Sequence, residues 1–470
     1  MQESEKKILN MAFPIVLDNL LQMTGTIFVM VLLGRIDVLA VGAVGIAIRI
    51  TSIVWSVFRG ITTAATVFTA QAFGAGNKKL MVDTAWQSIL STMLITVIIE
   101  FLIIVFAPEI LMMFNPSPEI LSLAVKYLRI VALGLPFISV MQVCGGLMQG
   151  VGRAKKPMLV TMLLNFLIVF ISVIFFFGVT ANAQTGIVGT AVATVIAQII
   201  AFGAALRMIF GEQGTLKGEW KIDGKISIPK LNFKRIGQIY KVGLPASAES
   251  LLWQLSAVII TRVILSYGES SFAAHQLGLQ AESISYMPAL GLGVVATSLI
   301  GQALGAGDQN LARIYFKKIM KLTMVITLFP VMMFMFIPQQ IMSLLTNNTE
   351  VIKLGAMYLF LMGLVQLPQN ASGVMLGAMR GAGLTKQPMF IAMTGLWGIR
   401  VPLTLLISSL NGFSITFIWS AICVDLVFRF IIAVIYFRKK DIFAHRLFDS
   451  NENLTPPIAD ELSSGLDEIL

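Results

Sequence analysis

The phrase QAFGAG at residues 71–76 returns almost unchanged as QALGAG at residues 302–307, an offset of 231 (302 − 71). The same ungapped offset aligns GLMQGVGRAKKPM at 146–158 with GAMRGAGLTKQPM at 377–389. Chance does not explain one offset that holds over such distances. The chain is therefore predicted to consist of two duplicated halves, so that the fold of one half determines the fold of the other.

The amino-acid composition indicates that these halves fold in a membrane. The chain has 470 residues, of which 57% are hydrophobic and 12% are charged, whereas soluble domains usually carry about 25% charged residues. Apolar runs such as 88–107 and 158–178 reach the ~20 residues that cross a bilayer core as a helix. Such unbroken runs are not those of a β-barrel, whose strands alternate polar and apolar residues over ~10 positions. The sequence predicts an all-α integral membrane protein.

Hydrophobic segments predict twelve transmembrane helices, six in each half. They lie near residues 10–33, 40–70, 84–107, 120–147, 157–178, 185–210, 236–265, 272–302, 313–337, 351–377, 388–410 and 414–437. Because six is an even number, both halves enter the membrane from the same side, and the two six-helix bundles form a parallel internal repeat. We expect an N-terminal lobe over 1–210, a cytoplasmic linker over 211–235, a C-terminal lobe over 236–440 and a mobile cytoplasmic tail over 441–470.

The excess of basic residues is interpreted as membrane topology. Lysines and arginines follow every second span, as at Lys78, Arg153, Arg313, Arg380 and Arg438, whereas the alternate loops 181–186, 268–271 and 409–412 contain none. Cytoplasmic loops carry such an excess. We expect a multi-pass protein of the cell membrane with both termini in the cytoplasm, in contact with membrane lipids and not with nucleic acid.

The sequence lacks the motifs of several protein classes. No stretch follows the nucleotide-binding pattern G-x-x-x-x-G-K-[ST], and none follows the H-E-x-x-H or nucleophile-elbow patterns. Two cysteines and two histidines do not make a disulfide framework or a metal cluster. An enzyme is therefore not expected, nor is a cofactor. Parallel repeats are typical of secondary transporters, which place the substrate near mid-membrane. Without a nucleotide-binding motif, the energy is expected to come from an ion gradient or from a partner.

Two acids occupy equivalent positions in the two halves. Asp18 and Glu249 each stand four residues after a matched proline, and charged side chains within spans cost ~2.5–3.5 kcal/mol on insertion scales. They are candidates for binding Na⁺, protons or a cationic substrate. The alternative is that each pairs with a buried arginine, such as Arg49 or Arg262, or reaches toward the cytoplasmic interface.

Glu282 is a further candidate, since Gln280 and two serines accompany it in an otherwise apolar span. Such a polar stripe suits a wet cavity, or alternatively hydrogen bonds between helices. Asp425 and Arg429 have the i, i+4 spacing of an ion pair on one helix face. Arg400 is expected either beside that pair or in a cavity.

Methionine is the remaining abundant signal, with 26 residues. Its flexible, polarisable side chain suits a surface that binds many shapes, although it also serves as ordinary core. Met30 and Met287 are the cavity candidates chosen among them.

The chain resembles the multidrug and toxic compound extrusion (MATE) family over residues 8–440. The similar phrases are LAVGAVG (39–45), QAFGAG, GLMQGVGRAKKPM, LPASAE (244–249), AAHQLGLQAESISYMP (273–288), GQALGAGD (301–308), GAMRGAGLTKQPM and GLWGIRVP (395–402). The resemblance implies a V-shaped pair of six-helix bundles. It also implies the export of amphipathic, often cationic, organic compounds in exchange for Na⁺ or H⁺.

Three positions depart from the family pattern. Met30 stands where many members carry an aspartate in the first span, and Trp253 stands where another branch has a glutamate. Gln369 stands near an acid that some members use in the tenth span. The resemblance therefore implies the fold and leaves the coupling ion open.

Two functions are carried forward from the sequence. The first is an ion-coupled exporter of small amphipathic cations, with no cofactor and no obligate protein partner. The alternative is a flippase or exporter of a lipid-linked saccharide or another anionic amphiphile, which Arg49, Arg59 and Arg262 keep open because phosphates need basic residues.

Overall fold

The computed structural model of the chain describes residues 3–34, 38–178, 183–211, 215, 221–222, 225–226, 231–410 and 412–447. These residues form fifteen α-helices and one short antiparallel hairpin. The elements are α1 (Glu3–Gly34), α2 (Val38–Gly74), α3 (Lys78–Met112), α4 (Pro118–Ala132), α5 (Leu135–Gly150), α6 (Lys155–Gly178), α7 (Ala183–Phe210), β1 (Lys221–Ile222), β2 (Lys225–Ile226), α8 (Phe233–Leu265), α9 (Glu269–Gly305), α10 (Gln309–Phe336), α11 (Pro338–Ser343), α12 (Thr349–Gly381), α13 (Lys386–Gly395), α14 (Val401–Ser409) and α15 (Ile415–Lys439). A π-helical turn (Leu396–Arg400) joins α13 to α14.

The helices account for the twelve predicted spans. Within the described residues, ten helical segments are long and apolar enough to cross a membrane, and α4 with α5 makes an eleventh, bent by 50°. With 32 residues, α1 is also long enough to cross. The predicted all-α membrane fold is confirmed, and the fourth span is broken where a single helix was expected. Pro136 lies in the first turn of α5, and a proline ring clashes with the carbonyl four residues earlier, which bends the chain there.

The duplication extends to the turns that end the helices. Gly76 and Gly307 follow α2 and α9 with φ of 66° and 77°, a left-handed conformation that glycine adopts without strain. The next residues cap the following helices: the side chain of Asn77 accepts from the Leu80 amide at 2.9 Å, and Asp308 accepts from the Leu311 amide at 2.8 Å. All of these pairs are separated by 231 positions.

Contacts divide the described chain into two compact units. The first comprises Phe13–Phe73 and Asn77–Ser247. The second comprises the chain from Ala248 onward, the residues up to Ala12, and Gly74–Gly76. Most of the predicted linker 211–235, and the predicted tail beyond 447, lie outside the described residues.

Ordered structure continues past residue 440, where the mobile tail was expected to begin. Phe443 is buried, and its ring lies 5.8 Å from that of Phe316 on α10. Asp441 forms an ion pair of 2.6 Å with Arg313. Residues 441–447 therefore belong to the second unit.

Candidate functional site

Asp18 lies on α1 in the first unit, four residues after Pro14. Its side chain is 4% exposed. The Gln22 amide donates to Oδ2 at 3.4 Å, whereas Oδ1 has no hydrogen-bond partner among the described residues, although Thr161 lies beside the carboxylate. This buried acid is therefore contacted by few neutral donors and by no positive charge among the described residues.

The neighbouring helix α6 is fixed to α1 beside this acid. Asn165 donates through Nδ2 to the carbonyl oxygen of Leu21 at 2.8 Å and to that of Thr161 at 3.0 Å. The two helices are thereby held together one turn beyond Asp18, which positions the carboxylate in a fixed frame.

A small cavity of about 50 Å³, open on one side, lies in the same unit. Gln22, which donates to Asp18, forms part of its wall. Its other polar or aromatic lining includes Trp55, Arg59 and Thr62 of α2, with Ser139 and Gln142 of α5. The cavity therefore combines aromatic surface, neutral hydrogen-bonding groups and a guanidinium.

Glu249, the counterpart of Asp18, has a charged partner. Arg380 Nη2 lies 2.6 Å from Oε1 and 2.8 Å from Oε2, and the glutamate side chain is 15% exposed. An arginine partner was one of the expectations for Glu249, but Arg49 and Arg262 were the wrong candidates. Sequence spacing did not reveal Arg380, which follows 131 residues later.

Glu282 on α9 is enclosed by donors from α12. It is 7% exposed. Tyr358 donates its hydroxyl to Oε2 at 2.6 Å, and Gln366 and Gln369 donate to Oε1 at 2.9 and 3.4 Å. Glu282 and Gln369, both sequence candidates, thus meet in one cluster. Tyr358 and Gln366 were not predicted from the sequence. Gln366 follows Tyr358 by eight residues and Gln369 follows Gln366 by three, and these spacings place the three side chains on one face of α12.

The polar stripe expected around Glu282 is split between two sides of α9. Gln280 is exposed, whereas Ser285 is buried and accepts from Asn370 at 3.2 Å. The methionine candidates Met30 and Met287 are both partly buried, on α1 and α9. Neither Gln280 nor Met287 is among the described donors to the Glu282 carboxylate.

Asp425 on α15 is shared by two arginines. It is completely buried, with Arg429 Nη2 at 2.8 Å and Arg400 Nε at 2.7 Å. The expected i, i+4 pair therefore forms, and Arg400 joins it through an ion pair that is not aligned as a hydrogen bond. The Arg400 guanidinium also lies 5.6 Å from the ring centre of Trp253, which is 42% exposed, within the range of a cation–π interaction.

The buried acids of the two units thus differ in the hydrogen-bond donors and positive charges that contact them. In the second unit, Glu249, Glu282 and Asp425 each receive charged or neutral donors. In the first unit, Asp18 has one weak donor and one oxygen without a partner. Asp18 is therefore the least compensated of these four buried or mostly buried acids.

Comparison with known proteins agrees with this architecture. The sequence profile named MatE matches twice, over residues 14–174 and 245–406, and the two matches begin 231 positions apart (245 − 14). The probable multidrug resistance protein NorM of Thermotoga maritima is 28% identical over 437 residues, covering 93% of this chain and 92% of that protein. The probable multidrug resistance protein YoeA of Bacillus subtilis is 23% identical, covering 86% and 87%.

Among solved structures, a MOP superfamily transporter from Pyrococcus furiosus superposes with a TM-score of 0.84 at 18% identity, covering 94% of this chain and 96% of that one. A double match to one family over most of the chain, on a frame of paired six-helix repeats, defines the class: this is a multi-pass membrane transporter. The chain belongs to the MatE, or MATE, family.

Proposed function

We propose that this MATE family transporter is a multidrug efflux carrier that exports amphipathic organic cations in exchange for Na⁺ or H⁺. The names of the curated relatives support efflux of drugs. The family membership supports a carrier and not an enzyme. In this proposal, transport proceeds by alternating access between the two six-helix lobes, with both termini in the cytoplasm.

One observation carries the ion-coupling part of the proposal. Asp18 is a buried carboxylate in a membrane-crossing helix, and its Oδ1 has no partner among the described residues. A charge within a span is costly, so such residues mark ion or substrate pathways by default. The free oxygen is a ligand for Na⁺, for a proton or for a positively charged group, and competition among these at one acid gives exchange.

Reconstituted liposomes test this directly. Ethidium movement is followed while a Na⁺ gradient and a pH gradient are imposed separately. We expect one of the gradients to drive transport in the wild type. Asp18→Asn should reduce that transport by about tenfold or more, since an interaction with a charged group is worth roughly 1.5–3 kcal/mol. Glu119→Gln, which removes an exposed acid from the first turn of α4, is the matched control and should transport normally.

The second candidate function is export of a lipid-linked saccharide or another anionic amphiphile. It is supported by Arg400 and Arg429, two buried arginines that share the Asp425 carboxylate, because an anionic group is recognised by basic side chains. Failure of both gradients to move ethidium, together with movement of an anionic lipid analogue, would favour this second function over the first.

A further inference from the structure

Two exposed basic residues are repeated in both halves of the chain. Lys155 and Arg207 form the first basic pair, and their equivalents at the offset of 231, Lys386 and Arg438, form the second. No other lysine or arginine of the first half has a basic counterpart at this offset. The buried acids of the two halves have acquired different partners, whereas these surface charges are common to both. An exposed side chain contributes little to packing, so its presence in both copies favours a shared ligand.

In the first unit, the basic pair lies at two helix ends that meet. Lys155 is the first residue of α6, and Arg207 belongs to the last turn of α7. Lys156 donates through Nζ to the carbonyl oxygen of Met208 at 3.4 Å. Because these two residues are next in sequence to the basic pair, the ammonium of Lys155 and the guanidinium of Arg207 border the same patch of surface.

The second unit repeats this arrangement on α13 and α15. A side chain at Gly395 on α13 would collide with Asp425 and Arg429, so the two helices touch there. Lys386 lies nine residues before Gly395 (395 − 386). Arg438 lies nine residues after Arg429 (438 − 429). Since consecutive spans run in opposite directions, both steps lead ~13.5 Å toward the same membrane surface and bring the second basic pair to one level.

An apolar face continues from each lysine into the membrane. On α6, Leu159 and Met162 follow Lys155 by four and seven residues, which is the spacing of one helix face, and both are exposed. On α13, the equivalent Phe390 and Met393 are also exposed. Both helices belong to segments that are long and apolar enough to cross a membrane. These side chains are therefore placed to contact acyl chains, one and two turns deeper than the charged group.

The arginines have the same relation to the membrane. The exposed Ile200 stands seven residues before Arg207, and the equivalent Ile431 is exposed in the second unit. Within the described parts of the chain, neither basic pair contacts a carboxylate. Long basic side chains at the ends of spans lay their stems along apolar surface and keep the charge at the interface. Each unit thus combines positive charge at headgroup depth with apolar surface at acyl-chain depth.

We propose that each lobe binds one anionic phospholipid through its basic pair, on the side of the membrane predicted to be cytoplasmic. The guanidinium and the ammonium bind the phosphodiester, and the exposed apolar residues of the same helices contact the acyl chains. Basic surfaces between spans bind anionic headgroups in this way. The inference goes beyond the proposed function, because it needs the membrane-spanning fold and no particular exported compound.

Native mass spectrometry of the purified full-length protein in detergent tests this proposal. The probes are dioleoylphosphatidylglycerol, which is anionic, and dioleoylphosphatidylcholine, which has the same acyl chains and no net charge. We expect two molecules of phosphatidylglycerol to stay bound under conditions that remove phosphatidylcholine. Lys155→Gln combined with Arg207→Gln should weaken binding of one of the two by about tenfold or more, since each basic residue near anionic lipid contributes roughly fivefold.

Two further variants separate the basic pair from general charge and from folding. Lys78→Gln combined with Lys79→Gln removes the same charge from exposed positions at the start of α3 in the same unit, and should keep both lipids. Lys155→Arg combined with Arg207→Lys preserves the charge and should also keep both. Equal retention of the two phospholipids by the wild type would overturn the proposal. An equal loss of phosphatidylglycerol in the two charge-removing variants would overturn it as well.

A soluble headgroup distinguishes a lipid site from a simple phosphate site. Glycerophosphoglycerol carries the phosphodiester without acyl chains, so it lacks the apolar contacts and should not displace phosphatidylglycerol even in molar excess. Displacement would contradict the role given to the apolar faces. Because binding is measured without a gradient or an exported compound, failure of this test would leave ion-coupled export standing, and failure of ethidium export would leave the lipid sites standing.

Discussion

Asp18 and Glu249 are equivalent residues that have acquired different surroundings. Glu249 is held by Arg380 through both carboxylate oxygens, whereas the residue equivalent to Arg380 in the first half is Gln149 (380 − 231). The half that has Arg380 thus has an acid with a counter-charge, Glu249. The half that has Gln149 instead has an acid without one, Asp18. At the residue scale, the two lobes therefore differ by the gain or loss of single charged side chains.

The Glu249–Arg380 ion pair leads to a prediction about the effect of a single substitution on stability. Arg380→Gln should lower the free energy of unfolding by roughly 2 kcal/mol, because it leaves a mostly buried carboxylate without its counter-charge. This is below the roughly 3–5 kcal/mol of a fully buried pair, since both side chains keep some exposure. Thermal unfolding of the purified protein in detergent measures the effect.

The control is the double variant Glu249→Gln with Arg380→Gln, in which no charge is left unpaired. We expect it to unfold at a higher temperature than Arg380→Gln alone, as a double-mutant cycle requires for coupled residues. Additive losses in the double variant would show that the two side chains do not stabilise one another.

Residue contacts were predictable where they are local. The i, i+4 spacing of Asp425 and Arg429 was sufficient to predict their ion pair, because a helix brings such residues together by its own geometry. Contacts between helices were not predictable in this way. Arg380 meets Glu249, and Tyr358 meets Glu282, through packing that depends on which helix faces which, and spacing along the chain does not encode that choice.

Glycines set the separation between helices within each unit. In the first unit, a side chain at Gly150 on α5 would come within 2.7 Å of the Thr66 carbonyl on α2. In the second unit, a side chain at Gly381 on α12 would come equally close to the Thr297 carbonyl on α9. These pairs are equivalent, so the packing role expected for the repeated glycines holds in both copies.

Two glycines on α12 provide a test at the scale of helices. An added methyl group at Gly377 would lie 2.9 Å from the carbonyl carbon of Gly293, and the same contact region includes the 2.9 Å hydrogen bond from Thr297 to Gly377. Gly377→Ala should therefore destabilise the protein by about 1–3 kcal/mol through overpacking. Thermal unfolding in detergent is the measurement.

Gly373→Ala is the matched control, four residues earlier on the same helix. A methyl group there meets nothing within 4 Å, and alanine is a better helix former than glycine. Stability should stay the same or rise slightly. An equal loss of stability in both variants would contradict close packing as the reason for Gly377.

Most helices were predictable because hydrophobic runs of spanning length locate them directly. The break between α4 and α5 was not predicted, although Gly134 and Pro136 stand at the bend. Residues 120–147 are predominantly apolar, so hydrophobicity alone does not reveal that the helix axis bends between α4 and α5. A proline inside an apolar run was the available signal.

At the scale of the whole molecule, the distribution of basic residues predicts an orientation that chemical labelling can test. In a Cys144→Ala, Cys423→Ser background, a cysteine replacing Lys78 should react with an impermeant maleimide only from the cytoplasmic side. A cysteine replacing Glu269 should react only from the outside. Lys78 and Glu269 are exposed at the starts of α3 and α9. The opposite labelling pattern would reverse the predicted topology.

The duplication explains why the fold was more predictable than the site. Repeated features, such as the turns after α2 and α9, preserve the common frame and are visible as repeated sequence. The candidate site includes features that the copies do not share, such as Arg380 and Glu282, whose equivalents at the 231 offset are Gln149 and Thr51. Tyr358, which donates to Glu282, is conserved in the first copy as Tyr127, but the acidic acceptor is replaced there by a threonine.

The π-helical turn at Leu396–Arg400 has a consequence for the alignment of the two halves. The second family match spans one residue more than the first (245–406 against 14–174), and a π-turn accommodates one additional residue in a helix. The counterpart helix α6 has no such interruption. One extra residue shifts the helical phase by about 100°, so beyond Arg400 the second copy presents a different face from the first.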